Sequence, residues 1–299
     1  MMAGECRVMN DVKINDGDDD KDWVLLFEHK PTYTLGRGST VDHLTFLHCD
    51  NPWNITTLDD DRRRLDQKYR GVDASRLHID RPSSSDDERI MSVVEEVNHI
   101  LTIHRNHTLS HPPVLAPNGA PVHRVERGGE VTFHGPGQLV IYPLLNLDNS
   151  NSKNNTTYEY KKDLHWYLRS MEEVVIRTLL RYDIQGERDP AGTGVWVDGG
   201  QRKIAAIGVS SSRWITTHGV ALNVDVDLRY IDNDIVTPCG IEDRGVTSIA
   251  RELWGERYGG CCGGGELSRR PTVEEVGQVA MESFGEVFGI DVIYGGEIQ

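Results

Sequence analysis

The sequence has few cysteines and no long apolar run, and each shortage excludes a class of protein. Its five cysteines are an odd number at irregular spacing, so we expect reduced thiols and not a disulfide framework. No apolar run approaches the ~18–20 residues that a membrane span requires, and "LVIYPLL" is among the longest. The sequence therefore predicts neither a disulfide-stabilised secreted fold nor a membrane protein.

Basic residues are also scarce. Lysine and arginine total 32 against 47 aspartates and glutamates, which gives a net charge of −15. A general nucleic-acid binder needs a basic surface to replace phosphate counterions, so we expect no nucleic-acid partner. Residues 1–21 are acidic and lack the apolar or arginine-rich pattern of a signal or transit peptide. They are interpreted as an acidic disordered tail.

The remaining residues, 22–299, are predicted to form a single domain with one insertion. From about 48 to 121 the chain is rich in charge, poor in core residues and ends in the proline-rich "HPPVLAPNGAP". Such a composition is typical of a largely disordered insertion. Within it, apolar residues at helical spacing around Val93 predict one helix.

Outside the insertion, strand patterns alternate with two amphipathic helices. A hairpin is predicted around Asp198-Gly199-Gly200, and Thr272 and Glu275 form a capping-box pattern before the last helix. The first helix is predicted from apolar residues on one face, at Leu164, Leu168, Met171, Val175, Leu179 and Tyr182. The fold class is therefore predicted to be α+β, a mixed β-sheet with helices packed on it.

One cysteine has an unusual setting. Cys239 lies between Pro238 and Gly240 in "TPCGIEDRGVTSIA". Proline lacks an N–H and glycine lacks a side chain, so this thiol is expected on constrained, exposed backbone and not in a core. A free thiol, with a pKa near ~8.5, needs a nearby cation to become a nucleophile at neutral pH. Lys203, the only lysine after Lys162, is the candidate, and the alternative is a surface lysine whose stem covers apolar neighbours.

A glycine-rich segment and a histidine offer further candidates. "ERGGEVTFHGPGQ" would let a ligand approach main-chain N–H groups, or would simply form two tight turns around a strand. It lacks the Gly-Lys-Ser/Thr ending of a phosphate loop. His218 stands at a strand entrance in "THGVALNV", where a lone histidine is more often structural. His104, His107 and His111, and the pair Cys261-Cys262, do not match zinc spacing, so no metal site is expected.

Four blocks occur in order: "RGGEVTFHGPGQLVIYPLL", "GVWVDGGQRKIAAIG", "HGVALNVDVDL" and "PCGIEDRGVTS". Together they resemble the lipoyl(octanoyl) transferases, which move octanoyl groups from acyl carrier protein to a lysine of lipoyl domains. The resemblance implies the fold of the biotin/lipoate protein ligase catalytic domain. It also implies that Cys239 carries the octanoyl group as a thioester and that Lys203 tunes the thiol and shuttles its proton.

The resemblance further implies the residues of the acyl pocket and the partners. The pocket residues would be Arg127, Gly128, Gly129, Glu130, Val131, Thr132, Phe133, His134, Ala206, Ile207, Gly208, His218, Gly219, Val220 and Ala221. The donor would be octanoyl-acyl carrier protein. The acceptors would be the lipoyl domains of 2-oxoacid dehydrogenase complexes and the glycine cleavage H protein. No cofactor is implied, and a monomer in a mitochondrion, or alternatively a plastid, is expected for a eukaryotic member.

Two other functions stay open at this stage. An ATP-dependent lipoate or biotin protein ligase shares the fold but needs no cysteine, so the "PCG" block counts against it. An inactive scaffold that binds carrier proteins has no need for Cys239, Lys203 and His134 together. Both alternatives predict that Cys239 is dispensable.

Overall fold

The structure is a computed structural model. It describes residues 7–14, 22–39, 44, 114–148, 160–190, 192–231, 244–255 and 269–294. Twelve strands are present in these residues: β1 (Arg7–Ile14), β2 (Asp22–Glu28), β3 (Thr32–Leu35), β4 (Val122–Arg124), β5 (Val131–His134), β6 (Gln138–Leu144), β7 (Glu187–Asp189), β8 (Gly192–Val197), β9 (Arg202–Ser212), β10 (Ile215–Asn223), β11 (Gly245–Val246) and β12 (Val292–Tyr294).

The strands form one large and one small sheet. The large sheet has the order β12-β1-β2-β6-β10-β9-β8-β7, and all of these neighbours are antiparallel. Strand β11 lies off this path and pairs with β9 in parallel. The small sheet has the order β4-β3-β5, with β3 parallel to β4 and antiparallel to β5. Both sheets are therefore mixed, as the sequence predicts.

Three α-helices accompany the strands in the described residues: α1 (Leu164–Leu180), α2 (Ile249–Trp254) and α3 (Val273–Phe288). Helix α1 begins after Asp163, whose side chain accepts hydrogen bonds from the first-turn N–H groups. Helix α3 begins with the predicted capping box of Thr272 and Glu275. The two long helices pack on each other and on the large sheet, where Met171, Phe284 and strand residues such as Leu222 share one core. The α+β prediction is confirmed.

The small sheet has a core of its own, and this corrects the predicted insertion at its C-terminal end. Val114, Ala116 and Ala120 are buried against the small sheet, and the N–H of Tyr33 donates to the carbonyl of Pro121 at 2.9 Å. Proline-rich composition predicts disorder, but these few apolar residues pack against strands that are distant in the sequence. The prediction of disorder is wrong from residue 114 onwards, and the rest of the insertion lies outside the described residues.

The predicted acidic tail is also wrong in part. Its eight residues Arg7–Ile14 form β1, which pairs with β2 on one side and β12 on the other. Strand β12 lies at the opposite end of the chain, so the pairing that stabilises β1 is not a local property of the sequence. Residues 1–6 and 15–21 lie outside the described part.

Among the described residues, no helix is both long enough and apolar enough to cross a membrane.

Candidate active site

A pocket of about 320 Å³ lies between the glycine-rich segment and strands β8 and β9. Of the predicted site residues, 127–133, Lys203 and 206–208 line it. His134, His218 and 219–221 do not line it, although Gly219 and Ala221 pair with Gly208 and Ala206 across the β9–β10 ladder. Cys239 lies outside the described residues. The structure thus brings together two of the quoted sequence blocks, whose pocket residues are separated by up to about eighty positions (208 − 127 = 81).

Arg127 fastens the glycine-rich segment to strand β3. Its Nη2 atom donates to the carbonyl oxygen of Thr34 at 2.9 Å and to Thr34 Oγ1 at 2.9 Å. Its Nη1 atom donates to the carbonyl of Gly128 at 3.1 Å. Burial of a charged group is tolerated when it is hydrogen-bonded in this way. The guanidinium therefore shapes the pocket wall by holding backbone in place.

Glycine at position 208 allows the wall to come close to β9. The N–H of Gly128 donates to the carbonyl of Val209 at 2.9 Å. A Cβ atom at Gly208 would lie 2.8 Å from the carbonyl oxygen of Gly128, closer than real Cβ contacts allow. The segment and the strand can therefore touch only because position 208 has no side chain.

Lys203 lies at the pocket with its side chain largely enclosed. It is 7% exposed, and its Nζ atom lies 4.7 Å from the centroid of the Trp196 ring. Its aliphatic end packs over Gly194, where a Cβ would lie 3.2 Å from Lys203 Cε. The rival cation Arg202 instead forms a double hydrogen bond with Glu252, at 2.8 and 3.1 Å. Of the two neighbours, Lys203 is the cation that lines the pocket.

Helix α1 supports the Lys203 surroundings through a buried carboxylate. Glu172 is almost fully buried and accepts a hydrogen bond from the N–H of Gly194 at 3.2 Å. Arg169 and Arg188 neutralise it at 2.8 and 3.2 Å. Such a paired and hydrogen-bonded buried charge is tolerated. Glu172 thereby fixes the start of β8 beside the Lys203 side chain.

A series of side-chain hydrogen bonds runs along one wall of the pocket, where Gln138 and Asn223 line it. The Nδ1 atom of His134 lies 3.0 Å from the Oε1 atom of Gln138, and because an amide oxygen only accepts, the histidine donates. Gln138 donates to Asn223 at 2.9 Å, and Asn223 donates to the carbonyl of Thr247 at 2.9 Å. The N–H of Thr247 donates to the carbonyl of Lys203 at 2.9 Å. The glycine-rich segment and the Lys203 strand are thus joined by polar contacts.

Three histidines lie at the His134 end of this series of hydrogen bonds. Burial lowers the pKa of His29 to about 4 and, with help from the charges of Arg127 and Arg37, the pKa of His218 to about 4. Burial, followed by the charges of His29 and Arg127, holds the pKa of His134 well below its usual range. All three are therefore neutral at pH 7. They act as hydrogen-bonding and packing groups, which differs from a general base whose pKa lies near the working pH.

The flanks of the Cys239 segment both reach the pocket. Ile231 precedes residues 232–243 and Val246 follows them, and both line the cavity. Val246 also pairs with Lys203 through the parallel β11–β9 contact. Described residues on both sides of the segment that contains Cys239 therefore lie at the pocket wall.

Sequence reasoning missed several residues of this site: Gln138, Glu172, Trp196 and Asn223. Glu172 carried a signal, because a glutamate on the apolar stripe of α1, one position after Met171, predicts a buried charge with partners. Asn223 ends a strand of apolar residues, which is a weaker signal of the same kind. The partners of Trp196 and Gln138 depend on how strands associate, and no local pattern shows them.

Metal ligands do not gather at this site. Within the described ranges, no group of three or more histidine, cysteine, aspartate or glutamate side chains could hold a metal ion. The histidines at 104, 107 and 111 and the pair Cys261-Cys262 lie outside those ranges.

Comparisons with known proteins define the class of this chain. The model of the lipoyl protein ligase A/B catalytic domain matches residues 76–285. An octanoyltransferase of Nostoc sp. (strain PCC 7120) is 43% identical over 273 residues, covering 91% of this chain and 80% of the relative. An octanoyltransferase of Nostoc punctiforme is 49% identical over 172 residues, covering 58% of this chain.

The chain belongs to the octanoyltransferase family, within the lipoyl protein ligase A/B catalytic domains. It covers 62% of the length of the Nostoc punctiforme relative. Among solved structures, the crystal structure of lipoate-protein ligase A bound with ATP is 13% identical, with a TM-score of 0.48. That match covers 91% of this chain and 74% of the other. The resemblance inferred from the four sequence blocks is confirmed at the level of family and fold.

Proposed function

We propose that this chain transfers an octanoyl, or lipoyl, group from acyl carrier protein to a lysine of a lipoyl domain, through a thioester on Cys239. The observation that carries this proposal is the position of Ile231 and Val246. Both line the pocket that holds Lys203, and Cys239 lies between them in the chain. Family membership supports the octanoyl group and the class of reaction.

The first half-reaction makes the acyl-enzyme. The amine of Lys203 takes the proton of the Cys239 thiol, and the resulting ammonium stabilises the thiolate. The thiolate attacks the thioester carbonyl of the donor, and the carrier's thiolate leaves with the proton from Lys203. One thioester is exchanged for another, so this step is nearly balanced in energy.

The second half-reaction transfers the acyl group to the acceptor. A lysine amine of the lipoyl domain attacks the Cys239 thioester, and Lys203 receives the proton that this amine loses. Cys239 leaves as a thiolate and regains a proton from Lys203. An amide replaces a thioester, and this draws the sequence forward.

The pocket suits a short acyl chain. Its volume of about 320 Å³ stands at the low end of the range for ligand pockets, roughly 300–1,000 Å³. Ile207 and Val209 offer apolar surface, and Gly129 lines the pocket without a side chain to cover its main chain. The N–H of Gly128 is engaged by Val209, so Gly129 is the residue whose N–H is suited to stabilise the oxyanion that forms at the thioester carbonyl.

Intact-mass spectrometry after incubation with octanoyl-acyl carrier protein tests the proposal. One added octanoyl mass is expected on the wild type, none on Cys239→Ala, and one on the control Cys49→Ala. An adduct that persists in Cys239→Ala contradicts the assignment. Transfer that requires ATP and survives Cys239→Ser indicates a ligase, and carrier binding without any adduct indicates an inactive scaffold.

The finer partners follow from the same proposal. The acceptors are lipoyl domains of 2-oxoacid dehydrogenase complexes and the glycine cleavage H protein, and the enzyme acts as a monomer without a cofactor. The named relatives come from bacteria, which argues against the expected mitochondrial location. A plastid is the remaining proposal for a eukaryotic source.

A further inference from the structure

Trp196 contacts two cations at the pocket wall. Its ring centroid lies 4.7 Å from the Nζ atom of Lys203 and 5.1 Å from the Cζ atom of Arg244. Arg244 also forms an ion pair with the buried carboxylate of Asp189. Trp196 is 2% exposed, lines the pocket and stands opposite Lys203 in the β8–β9 ladder. One buried indole therefore joins the Lys203 side chain to the first described residue after the Cys239 segment.

The setting of Trp196 differs from that of an ordinary core residue. Among the described residues, it is buried without belonging to any of the apolar clusters that form the cores. Its Nε1 atom is buried and has no hydrogen-bond partner in the part of the chain that the structure describes. A buried donor without a partner is costly and calls for an explanation beyond packing. Its ring contacts two cations, and the residue lines the pocket.

We propose that Trp196 is a positioning residue for the acyl transfer, and that its ring holds the ammonium group of Lys203 at the pocket. This inference rests on the proposed function, in which Lys203 exchanges protons with Cys239. Lysine carries a flexible four-carbon stem with many rotamers. A buried aromatic face attracts the ammonium electrostatically and reduces that freedom.

The surrounding contacts limit Lys203 from its other sides. Gly194 packs beneath its stem, and Glu172 holds Gly194 through its N–H. The Thr247 N–H fixes the backbone carbonyl of Lys203. These contacts fix the strand and the stem, whereas the Trp196 ring contacts the charged end. Loss of the ring should therefore impair the proton transfers more than it impairs substrate binding.

The test compares Trp196→Leu, Trp196→Phe and a matched control. Trp214→Leu is that control, because Trp214 contacts Lys162 at 5.4 Å, a similar lysine–tryptophan pair away from the pocket. We expect Trp196→Leu to lower kcat for octanoyl transfer about tenfold, with KM within about twofold, as loss of a buried cation–π contact implies. Trp196→Phe keeps an aromatic face and should restore most of kcat. Trp214→Leu should leave both constants unchanged.

A second measurement separates positioning from general damage. The pH profile of Cys239 alkylation by iodoacetamide should shift to higher pH in Trp196→Leu, and Trp196→Leu should add nothing in a Lys203→Ala background. An unchanged profile, an equal loss in Trp196→Phe, or full additivity with Lys203→Ala overturns the inference. If Trp196→Leu unfolds, Trp196→Met, which keeps more of the buried volume, takes its place.

Failure of the proposed function and failure of the role of Trp196 give different results. A wild type that forms no octanoyl adduct on Cys239 refutes the proposed function. A wild type that forms the adduct, with Trp196→Leu indistinguishable from it in kcat and in alkylation, refutes only the role of Trp196.

Discussion

The side-chain amide of Asn223 donates a hydrogen bond of 2.9 Å to the backbone carbonyl of Thr247. The same side chain accepts from Gln138 at 2.9 Å, and the N–H of Thr247 donates to the carbonyl of Lys203 at 2.9 Å. Strand β11, which precedes Thr247, is only two residues long, so its own ladder gives it little support. Asn223 therefore stabilises Thr247, the residue after β11, in its contact with the strand that contains Lys203.

Replacement of this amide should affect stability and catalysis together. We expect Asn223→Ala to lower the free energy of unfolding by about 2–3 kcal/mol, because two buried polar groups lose their partner. Octanoyl transfer should fall as well, since the Thr247 junction is released. Urea unfolding and transfer rates measure the two effects, with Gln201→Ala, an exposed position, as the control. A destabilisation below about 0.5 kcal/mol would show that water replaces the amide at little cost.

The long-range part of this site explains what the sequence could and could not predict. The two long helices, the hairpin at Asp198 and the capping box of Thr272 follow local rules of periodicity and capping, and these are present. The blocks around Arg127 and Lys203 were visible because their glycines and charges are close in sequence. Their meeting in one pocket depends on the pairing of β9 with β10 and on the Arg127–Thr34 contacts.

Other features depended on partners far along the chain. The pairing of β1 with β12 joins the two ends of the described chain, and Val114 and Ala120 are buried by strands that precede and follow the insertion. Composition alone indicated disorder for both regions. The sequence predicts Trp196 only as one residue of a strand. Its contact with Arg244 involves a residue outside the strands, so strand periodicity does not predict it.

The narrow approach at Gly208 gives a direct test of the pocket wall. In Gly208→Ala the new Cβ would lie 2.8 Å from the carbonyl oxygen of Gly128 and 3.1 Å from Arg127 Cδ. Backbone must move to relieve this overlap, so we expect at least a tenfold loss of transfer rate, of the order that a misplacement near 1 Å causes. Gly192→Ala also lies at the pocket but meets nothing within 4 Å. Equal rates for the two variants would show that the wall tolerates the shift.

Stability should fall in mild acid because of two histidines that are largely enclosed in the folded chain. Burial lowers the pKa of His29 and of His218 to about 4 from the ordinary value of 6.5. Between pH 6.5 and pH 4 the unfolded chain binds protons that the folded chain excludes. The contribution of these histidines to the free energy of unfolding is therefore fully present above pH 6.5 and is lost as the pH falls. We expect a loss of about 1 kcal/mol per histidine between pH 6.5 and pH 5, reduced from the full linkage value because both side chains are partly exposed.

His29→Gln isolates one contribution to that decline. Glutamine can keep a hydrogen bond to Tyr142, which lies 3.1 Å from His29 Nε2, but it does not titrate. Urea midpoints at pH 5 and pH 7 should differ less in this variant than in the wild type. His165→Gln, on the exposed face of α1, should leave the difference unchanged. An identical pH dependence in all three proteins would place the acid sensitivity elsewhere.

Lys203 should control the ionisation of Cys239, although 36 positions separate them in the sequence (239 − 203). A thiolate at the mouth of an apolar pocket is costly unless a cation lies within about 4–6 Å. The Nζ atom of Lys203 lies 4.7 Å from the centroid of the Trp196 ring at the pocket wall, whereas Arg202 donates to Glu252. We therefore expect Lys203→Ala to raise the pH at which iodoacetamide alkylates Cys239 and to abolish most acyl transfer.

Arginine at position 203 separates the two tasks that we propose for the lysine. Lys203→Arg should restore part of the alkylation, because the guanidinium supplies a positive charge, but little turnover, because it cannot readily give up a proton. Cys239→Ala in the same assay reports alkylation at the other four cysteines of the chain and is subtracted (5 − 1). An unchanged alkylation profile in Lys203→Ala would show that Lys203 does not control the ionisation of Cys239. His134 and His218 would then be the next residues to replace. Their pKa values are depressed, so both are neutral imidazoles at pH 7, and one of them would have to accept the thiol proton.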